Sequence, residues 1–569
     1  MTSIYYSFLL ERPRIAYYRR AEFHACFQSG EIMTKTSTFF ALRNPVYRSL
    51  WFASLLSGTC VSAQETAATW VMNSLGASTI FLSLISTVSS LPFFLFTLPA
   101  GAMADIVDRR KLIFVMNIWL AVAAGLLASF GWLNSLNPYI ILMCIFLLGV
   151  GFAFNAPAWT AIVPEVVSNE ELPSAAALGG LQLNISGIIG PALGGILIPV
   201  VGSNWLFALN AAGFLVVILA LLGWKRAENA SKLPLESFFE SLEAAIRYVR
   251  YTPGIQIVVA RNVLFAFFIS LIPALMPVVA LKVLHLDASE LGFLFTGMGA
   301  GSVGSAVFVI PWVRARYSSN RITIIANLIV VAVYLLMAFV HDDLALIFVA
   351  ALAGVGWTLS AAELWVASQR AAPPWARGRM NATIIMASQG AMALGGIIWG
   401  TSAVEVGVSY TLIAAAFLLL ISLTLAVRFS IDFTGALDLE PARVTTFSHK
   451  LLELPQPQDG PVLITYEFEI DPKRGRELLG LIREIRLIHL RNGAFNWHLH
   501  EDLERSNIFR IEMMLPSWSG YLLQRERLTK AERELIDRAK TYHIGSHPLG
   551  ERIFLCVNKE LHTPDSRLV

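Results

Sequence analysis

Carboxylates and a guanidinium buried in long apolar runs are the groups in this chain with chemistry to offer. Glu65 stands in the segment 49–74, flanked by Gln64 and Thr69. In a helix rising 1.5 Å per residue this polar island lies roughly 24 Å from Ser49, past the midplane of a bilayer. A charge at that depth is expensive. The carboxylate therefore either holds a static hydrogen bond to a neighbouring segment or takes up and releases a proton, or touches substrate, as its surroundings alternate. Glu363, in the segment 344–368, lies close to the opposite membrane face, where water or Arg370 can meet it, and a static role is the stronger expectation. Arg261, early in the segment 256–280, pairs with one of these acids if its helix faces a cavity, or else snorkels to the interface.

A second cluster sits between two apolar runs. Gly101 to Leu112 (GAMADIVDRRKL) sets Asp105 and Asp108 ahead of three consecutive cations, Arg109, Arg110 and Lys111. A third feature is steric. In GIIGPALGG, Gly187 to Gly195, the residues Gly187, Gly190 and Gly194 share one helical face and permit close approach of a neighbouring helix, with Gly195 beside them. Pro191 removes a backbone donor and favours a bend. A plain packing face would have the same composition.

The elements that must carry these residues are membrane helices. Hydrophobic residues are 56% of the chain and charged residues 15%, and the apolar residues fall in runs long enough to cross a bilayer, which excludes a soluble globular enzyme. A net charge of +3 gives no reason to invoke nucleic acid. Cys26, Cys60, Cys144 and Cys556 are widely separated, so neither a disulfide frame nor a zinc site is indicated. Twelve apolar segments can be counted: 49–74, 80–103, 112–134, 138–162, 175–200, 204–224, 256–280, 290–313, 322–340, 344–368, 380–402 and 407–428. Cations follow the even-numbered ones: Arg109, Arg110 and Lys111; Lys225, Arg226 and Lys232; Arg314, Arg316 and Arg321; Arg370, Arg377 and Arg379. The positive-inside bias then places both termini in the cytoplasm. The loop after the fourth segment departs from the trend, with Glu165, Glu170, Glu171 and no cation.

The two halves also echo each other. FLLGVGFAF (146–154) in the fourth segment parallels ALAGVGWTL (351–359) in the tenth, and GIIGPALGG in the fifth parallels SQGAMALGG (388–396) in the eleventh. Six segments repeated in parallel, with a site near the midplane between halves, is an organisation known among secondary transporters. The loop after the second segment resembles the signature loop of the major facilitator superfamily at Gly101, Asp105, Arg109 and Arg110. Ile106 and Asp108 replace a basic residue and a glycine, so the turn must be built another way. The fifth-segment pattern resembles that superfamily's antiporter motif, found chiefly in exporters.

After Phe429 the chain changes character: the last quarter holds nearly half of the charged side chains. Residues 430–461, with four prolines, read as a linker. VLITYEFE (462–469) alternates as a half-buried strand, and Asp471-Pro472 starts a helix running to about Leu490. Strands at 494–500 and 507–515, a helical stretch at 517–541 and a strand at 552–557 complete a β-α-β-β-α-β, ferredoxin-like order. Pro516 to Ala539, with Trp518, the run Gln524-Arg525-Glu526-Arg527 and Thr529, resembles the tail of bacterial transmembrane secretion effectors, a facilitator subfamily related to the enterobactin exporter. His498 and His500 share one strand face beside Trp497; a solvated or partner-facing strand and an enzymatic site are both open, the fold being shared with small monooxygenases. Residues 1–32, rich in arginine and aromatics, are either a membrane-surface arm or precede the true start at Met33.

These readings give an all-α membrane protein, a twelve-span major facilitator fold with a 6+6 repeat and a C-terminal α+β ferredoxin-like cytoplasmic domain. The expected parts are an N-terminal cytoplasmic segment (1–48), a six-helix bundle (49–224), a cytoplasmic linker (225–255), a second bundle (256–429), a linker (430–461), the small domain (462–557) and a tail (558–569). No glycine-rich loop ends in lysine and serine or threonine, so no nucleotide or other cofactor is implied and energy would come from an ion gradient. The resemblance implies a bacterial inner-membrane exporter of a small organic molecule, drug or siderophore-like, coupled to protons. An importer of the same fold, or a carrier whose tail is an enzyme or binds a protein partner, are the alternatives.

Overall fold

A computed structural model describes residues 39–224, 246–340, 342–373, 376–432, 440, 442, 455–505, 507–545, 549 and 551–556. The arm 1–32, the cations Lys225, Arg226 and Lys232, most of the 430–461 linker and the tail 558–569 lie outside those residues, as do the side chains of Asp105, Ile106 and Arg379. Long helices dominate: α1 (Pro45–Ser74), α2 (Thr79–Ile106), α3 (Arg109–Trp132), α4 (Pro138–Val166), α5 (Leu172–Val201) and α6 (Ser203–Leu222). The second set begins with α7, a stack of Pro253–Ile269, Leu271–Val278 and a π turn Val279–Val283. Next comes α8, built from Ala288–Gly304, a π turn Ser305–Val309 and Ile310–Arg314. It closes with α9 (Ser319–Phe339), α10 (Asp343–Ala371), α11 (Arg377–Glu405) and α12 (Val408–Arg428). Among the described residues eleven helices, α2 to α12, are long and apolar enough to cross a membrane. At 30 residues α1 is as long, but its serines, threonines, Gln64 and Glu65 dilute its apolar content.

Local chemistry fixes where these helices start. Asn44 accepts hydrogen bonds from the backbone N–H groups of Val46 and Tyr47, with Pro45 at the first helical position; Asn137 and Pro138 repeat the device for α4. Asp287 and Glu290 form a capping box on α8. Glycines at positive φ, Gly202 and Gly407, make the tight turns into α6 and α12.

Packing follows the repeat seen in the sequence. In the first set Gly149 of α4 abuts Pro92 of α2 and Gly151 abuts Leu120 of α3; in the second, Gly354 of α10 abuts Met298 of α8 and Gly356 abuts Val330 of α9. The two GVG triplets thus make equivalent three-helix contacts. Small residues are needed there because nothing but close backbone approach and dispersion drives helices together in lipid. The sets meet along two seams, α2 with α11 and α5 with α8.

Beyond α12 stands an antiparallel sheet of β1 (Val462–Glu469), β2 (Phe495–Glu501), β3 (Ile508–Leu515) and β4 (Glu551–Leu555), in the order β2-β3-β1-β4. Val462 faces both Leu515 and Leu555 in register. Three helices accompany it: α13 (Gly475–Arg491), α14 (Trp518–Glu526) and α15 (Lys530–Lys540). The single helix expected over 517–541 is broken at Arg527–Thr529, because Thr529 caps α15 in a capping box with Glu532. Leu478, Ile482 and Ile485, spaced four and three apart on α13, bury against Phe468 and Ile511 of the sheet.

Candidate functional site

The helix ends fall into two groups. At the tail end lie the α2–α3 and α4–α5 turns and the exit of α12; at the far end lie the turns at 75–78, 202 and 284–287. Glu65 sits in the far half of α1, and its side chain is exposed. Leu56, which also stands exposed, is nine residues earlier, half a revolution around the helix. Glu65 therefore opens away from the outward, lipid-suited face. Met72, seven residues on and on the same face as Glu65, is fully buried. The space at Glu65 is thus open below and sealed above. Among the described residues its carboxylate has no hydrogen-bond or ion-pair partner; only its backbone oxygen is engaged, by Thr69 Oγ1 at 2.9 Å.

The seal is built from glycine. A Cβ on Gly195 would come 2.8 Å from Cα of Gly292 in α8, and one on Gly299 would come 2.5 Å from the carbonyl oxygen of Gly187. Across the other seam, Gly396 and Gly400 of α11 lie against Thr87 and Ser83 of α2, and Thr87 Oγ1 donates to the carbonyl of Ala393 at 3.2 Å. Towards the tail end the same helices part: a Cβ on Gly101, Gly179, Gly180, Gly304 or Gly378 would meet nothing within 4 Å. The molecule is closed at the far end and open at the tail end. Gly190 and Gly194 use their missing side chains differently, against Ser62, Ala63 and Thr66 of α1. The expectation of one face shared by Gly187, Gly190 and Gly194 holds for the last two. A Cβ on Gly187 would meet open space, while Gly195 and Pro191, whose carbonyl oxygen lies against Gly292, belong to the α8 seam.

Other expected site residues are more static. Gln64 does not extend a polar island around Glu65; it turns to α6, accepting from Asn210 Nδ2 at 2.8 Å. Glu363, 1% exposed, is bound not to Arg370 but to Arg314 Nε, at 2.6 Å. Arg261 meets neither acid, and its partners stand at the tail-end tips of α9 and α12. It is buried between α9 and α12, donating to Thr323 Oγ1 (2.8 Å), Asn320 Oδ1 (3.1 Å) and the carbonyl oxygens of Ala426 and Phe429.

At the tail end Asp108 solves the problem posed by the missing glycine. With φ near −55° it N-caps α3, its carboxylate accepting from the N–H of Lys111 at 2.9 Å. Arg109 pairs with Glu165 in the last turn of α4 at 2.7 Å; Arg110 bonds the carbonyl of Leu221 at the end of α6, and Lys111 lies exposed. Arg314–Glu363 is a second arginine–glutamate pair, between the end of α8 and α10. The 205-residue offset between the GVG triplets carries Arg109 to Arg314 but Glu165 to Arg370, so the two pairs are not repeat equivalents. Among the described residues no three histidines, cysteines or acids gather as metal ligands. His498 and His500 are exposed on the edge strand β2, with ring centroids 5.8 Å apart.

Two parallel-repeated helix sets, parted at one end and sealed at the other above an interior carboxylate, define a transporter of the major facilitator type. The chain belongs to the transmembrane secretion effector family of that superfamily, whose pattern it matches over residues 36–561. It is similar to the enterobactin exporter EntS of Citrobacter koseri, 27% identical over 269 residues, and to macrolide efflux protein A of Streptococcus pyogenes, 22% identical over 269. Each alignment covers 46% of this chain, and 63% and 66% of those relatives' own lengths. Among solved structures, a bacterial homolog of the lysosomal transporter Spinster, in an inward-facing unoccupied conformation, superposes with a TM-score of 0.54 at 15% identity, covering 69% of this chain and 97% of that one. The nucleoside transporter NupG gives 0.54 at 13% identity, covering 68% and 99%. These likenesses establish the fold.

Proposed function

We propose that the protein is a twelve-span secondary transporter of the bacterial inner membrane that exports a small organic molecule in exchange for protons, with Glu65 as the coupling carboxylate. The observation carrying this reading is the open, unpartnered carboxylate of Glu65 beneath the far-end seal. A group buried in the membrane yet facing an aqueous cavity exchanges its proton with whichever side is open. The relatives' names, an enterobactin exporter and a macrolide efflux protein, support export and an organic substrate.

In this reading α1 is the twelfth span, and 49–224 and 256–429 are the two bundles. The sheet order β2-β3-β1-β4 favours a ferredoxin-like cytoplasmic domain over 462–557. Arg109, Arg110, Arg314 and the tail lie at one end of the helices, which favours that end, with both termini, as cytoplasmic. The conformation is then inward-open, and closing it brings Asp105 at the end of α2 towards the positive N-terminus of α11.

Glu65→Gln keeps the size of the side chain and fixes it neutral. In inverted vesicles it should abolish uptake against a gradient while downhill exchange continues, since only the step tied to proton release is lost. Substrate still concentrated by a pH gradient at wild-type rate would remove Glu65 from the coupling role.

A further inference from the structure

The C-terminal unit contains a cavity of about 310 Å³ between its sheet and its helices, within the range of roughly 300–1,000 Å³ common for small-molecule sites. Its apolar wall is Phe468, Ile485, Ile511, Leu528 and Ile536. Tyr466 and Tyr521 line one side with Glu551, Tyr521 donating to the Glu551 carboxylate at 3.0 Å and Arg525 bonding the Tyr521 hydroxyl at 3.0 Å. Arg533 and Lys540, also on the wall, both meet Asp537, which is not among the lining residues. The wall therefore bears three cations against one carboxylate. His489, 8% exposed, lines the same cavity, and its Nδ1 is buried with no hydrogen-bond partner. A buried polar atom left unpaired costs about 1–3 kcal/mol, and its residue is one of those lining the cavity.

This cavity is wired to the helices. α13, which carries Ile485 and His489, ends at Arg491. That guanidinium pairs with Glu532 in the first turn of α15, so it ties together two walls of the cavity. Arg491 also donates to Thr252 Oγ1 at 3.3 Å, where Thr252 is the N-cap position of α7, and lies over the ring of Tyr248 at 5.1 Å. Occupancy that shifts α13 against α15 thus reaches the entrance of α7 through one side chain.

We infer that the cavity of the C-terminal unit binds a small hydroxylated aromatic acid and that Arg491 transmits its occupancy to α7. The ring fills the apolar wall, the hydroxyl donates to His489 Nδ1, and the carboxylate faces Arg525, Arg533 and Lys540. The binding site stands on the C-terminal unit alone; the regulatory sense of the signal rests on the transporter reading.

The test uses the full-length protein in lipid nanodiscs and 4-hydroxybenzoate as probe, with calorimetry for binding and hydrogen exchange for residues 246–252. The probe should bind, and benzoate, which lacks the hydroxyl, should bind more weakly. His489→Phe keeps the ring volume and deletes the acceptor, so affinity should fall about tenfold; Ile485→Trp, which fills the cavity, should lose binding. Glu65→Gln should bind as the wild type does, which separates this site from the transport pathway. Arg491→Ala should keep binding but lose the probe-dependent change in exchange at 246–252. No binding at millimolar probe, unchanged affinity in folded His489→Phe, or binding lost in Glu65→Gln would overturn the site. A persistent exchange response in Arg491→Ala would overturn the link.

Discussion

Two carboxylates that look alike in sequence diverge once their neighbours are known. Glu65 faces open space and has no partner, whereas Glu363 is held by Arg314. The Arg314 side chain is 44% exposed, so removing the charge of Glu363 leaves a cation that water can take over. Glu363→Gln should therefore preserve pH-driven transport and lower thermal stability only slightly, by about 1 kcal/mol or less, read from parallel transport and melting assays. Loss of proton coupling in a well-folded Glu363→Gln protein would shift the coupling role to this pair. In the C-terminal unit, burial lowers the His489 pKa to about 4 from an ordinary 6.5. The unfolded chain then binds a proton that the folded one refuses, so stability is complete above about pH 6.5 and declines as pH falls towards 4. The loss at the lower limit is about 3 kcal/mol. Melting of the unit should show this slope, and His489→Gln, neutral throughout, should flatten it. The depths of Glu65 and Glu363 could be read from hydropathy, but the partners of Gln64, Glu363 and Arg261 come from α6, α8 and α9, and one sequence does not say which helix faces which.

At the scale of helices, glycine pattern proved more informative than charge. Matching GVG triplets and matching GG pairs revealed the repeat, and the structure turns each into an equivalent contact: Gly194 on α1 with Gly395 on α7, and Gly195 on α8 with Gly396 on α2. The pattern could not reveal which glycine serves which neighbour, since helical faces separated by one residue point to different helices. By spacing alone Gly187 falls on the face of Gly190 and Gly194, although only those two meet α1. It also gives a test of the seal. A side chain on Gly195 would meet Gly292 Cα below any real contact distance, and overpacking of this kind costs about 1–3 kcal/mol. Charged to the sealed state alone, it shifts the balance of open and sealed far ends by roughly ten- to a hundredfold. Gly195→Val should thus speed labelling of a cysteine placed at Ser289 by an impermeant maleimide on the far side, whereas Gly187→Ala, with open space around its Cβ, should not. Equal labelling rates in both would mean that the seal does not depend on the α5–α8 approach. The broken loop motif was legible in part: the sequence showed that a glycine was missing, while the N-cap of Asp108 on α3 needed the backbone geometry.

For the molecule as a whole, composition separates a membrane part from a charged tail near Phe429, but the structure draws the functional boundary a little later. The carbonyl of Phe429 accepts from Arg261, and the carboxylate of Asp432 accepts from the N–H of Asn320 in the first turn of α9 at 2.9 Å. No side chain at Ser318, the N-cap position of α9, supplies that bond, so Asp432 serves the start of a helix more than a hundred residues earlier, and its charge also acts on Arg261. Hydropathy cannot see such a contact, because Asp432 reads as part of a polar linker. A chain ended after Phe429 loses the cap and exposes Arg261 to an uncompensated site. One ended after residue 433 keeps both. An N-cap carboxylate contributes about 0.5–2 kcal/mol, and a carboxylate attracting a buried guanidinium adds to it. The shorter chain should therefore melt several degrees below the longer one in the same detergent, although both lack the entire C-terminal unit. Asp432→Asn in the longer chain, which keeps a hydrogen-bond acceptor but removes the charge, should fall between them. Identical melting of the two truncations would show that the membrane part ends at Phe429, and that Asp432 is only the beginning of the linker.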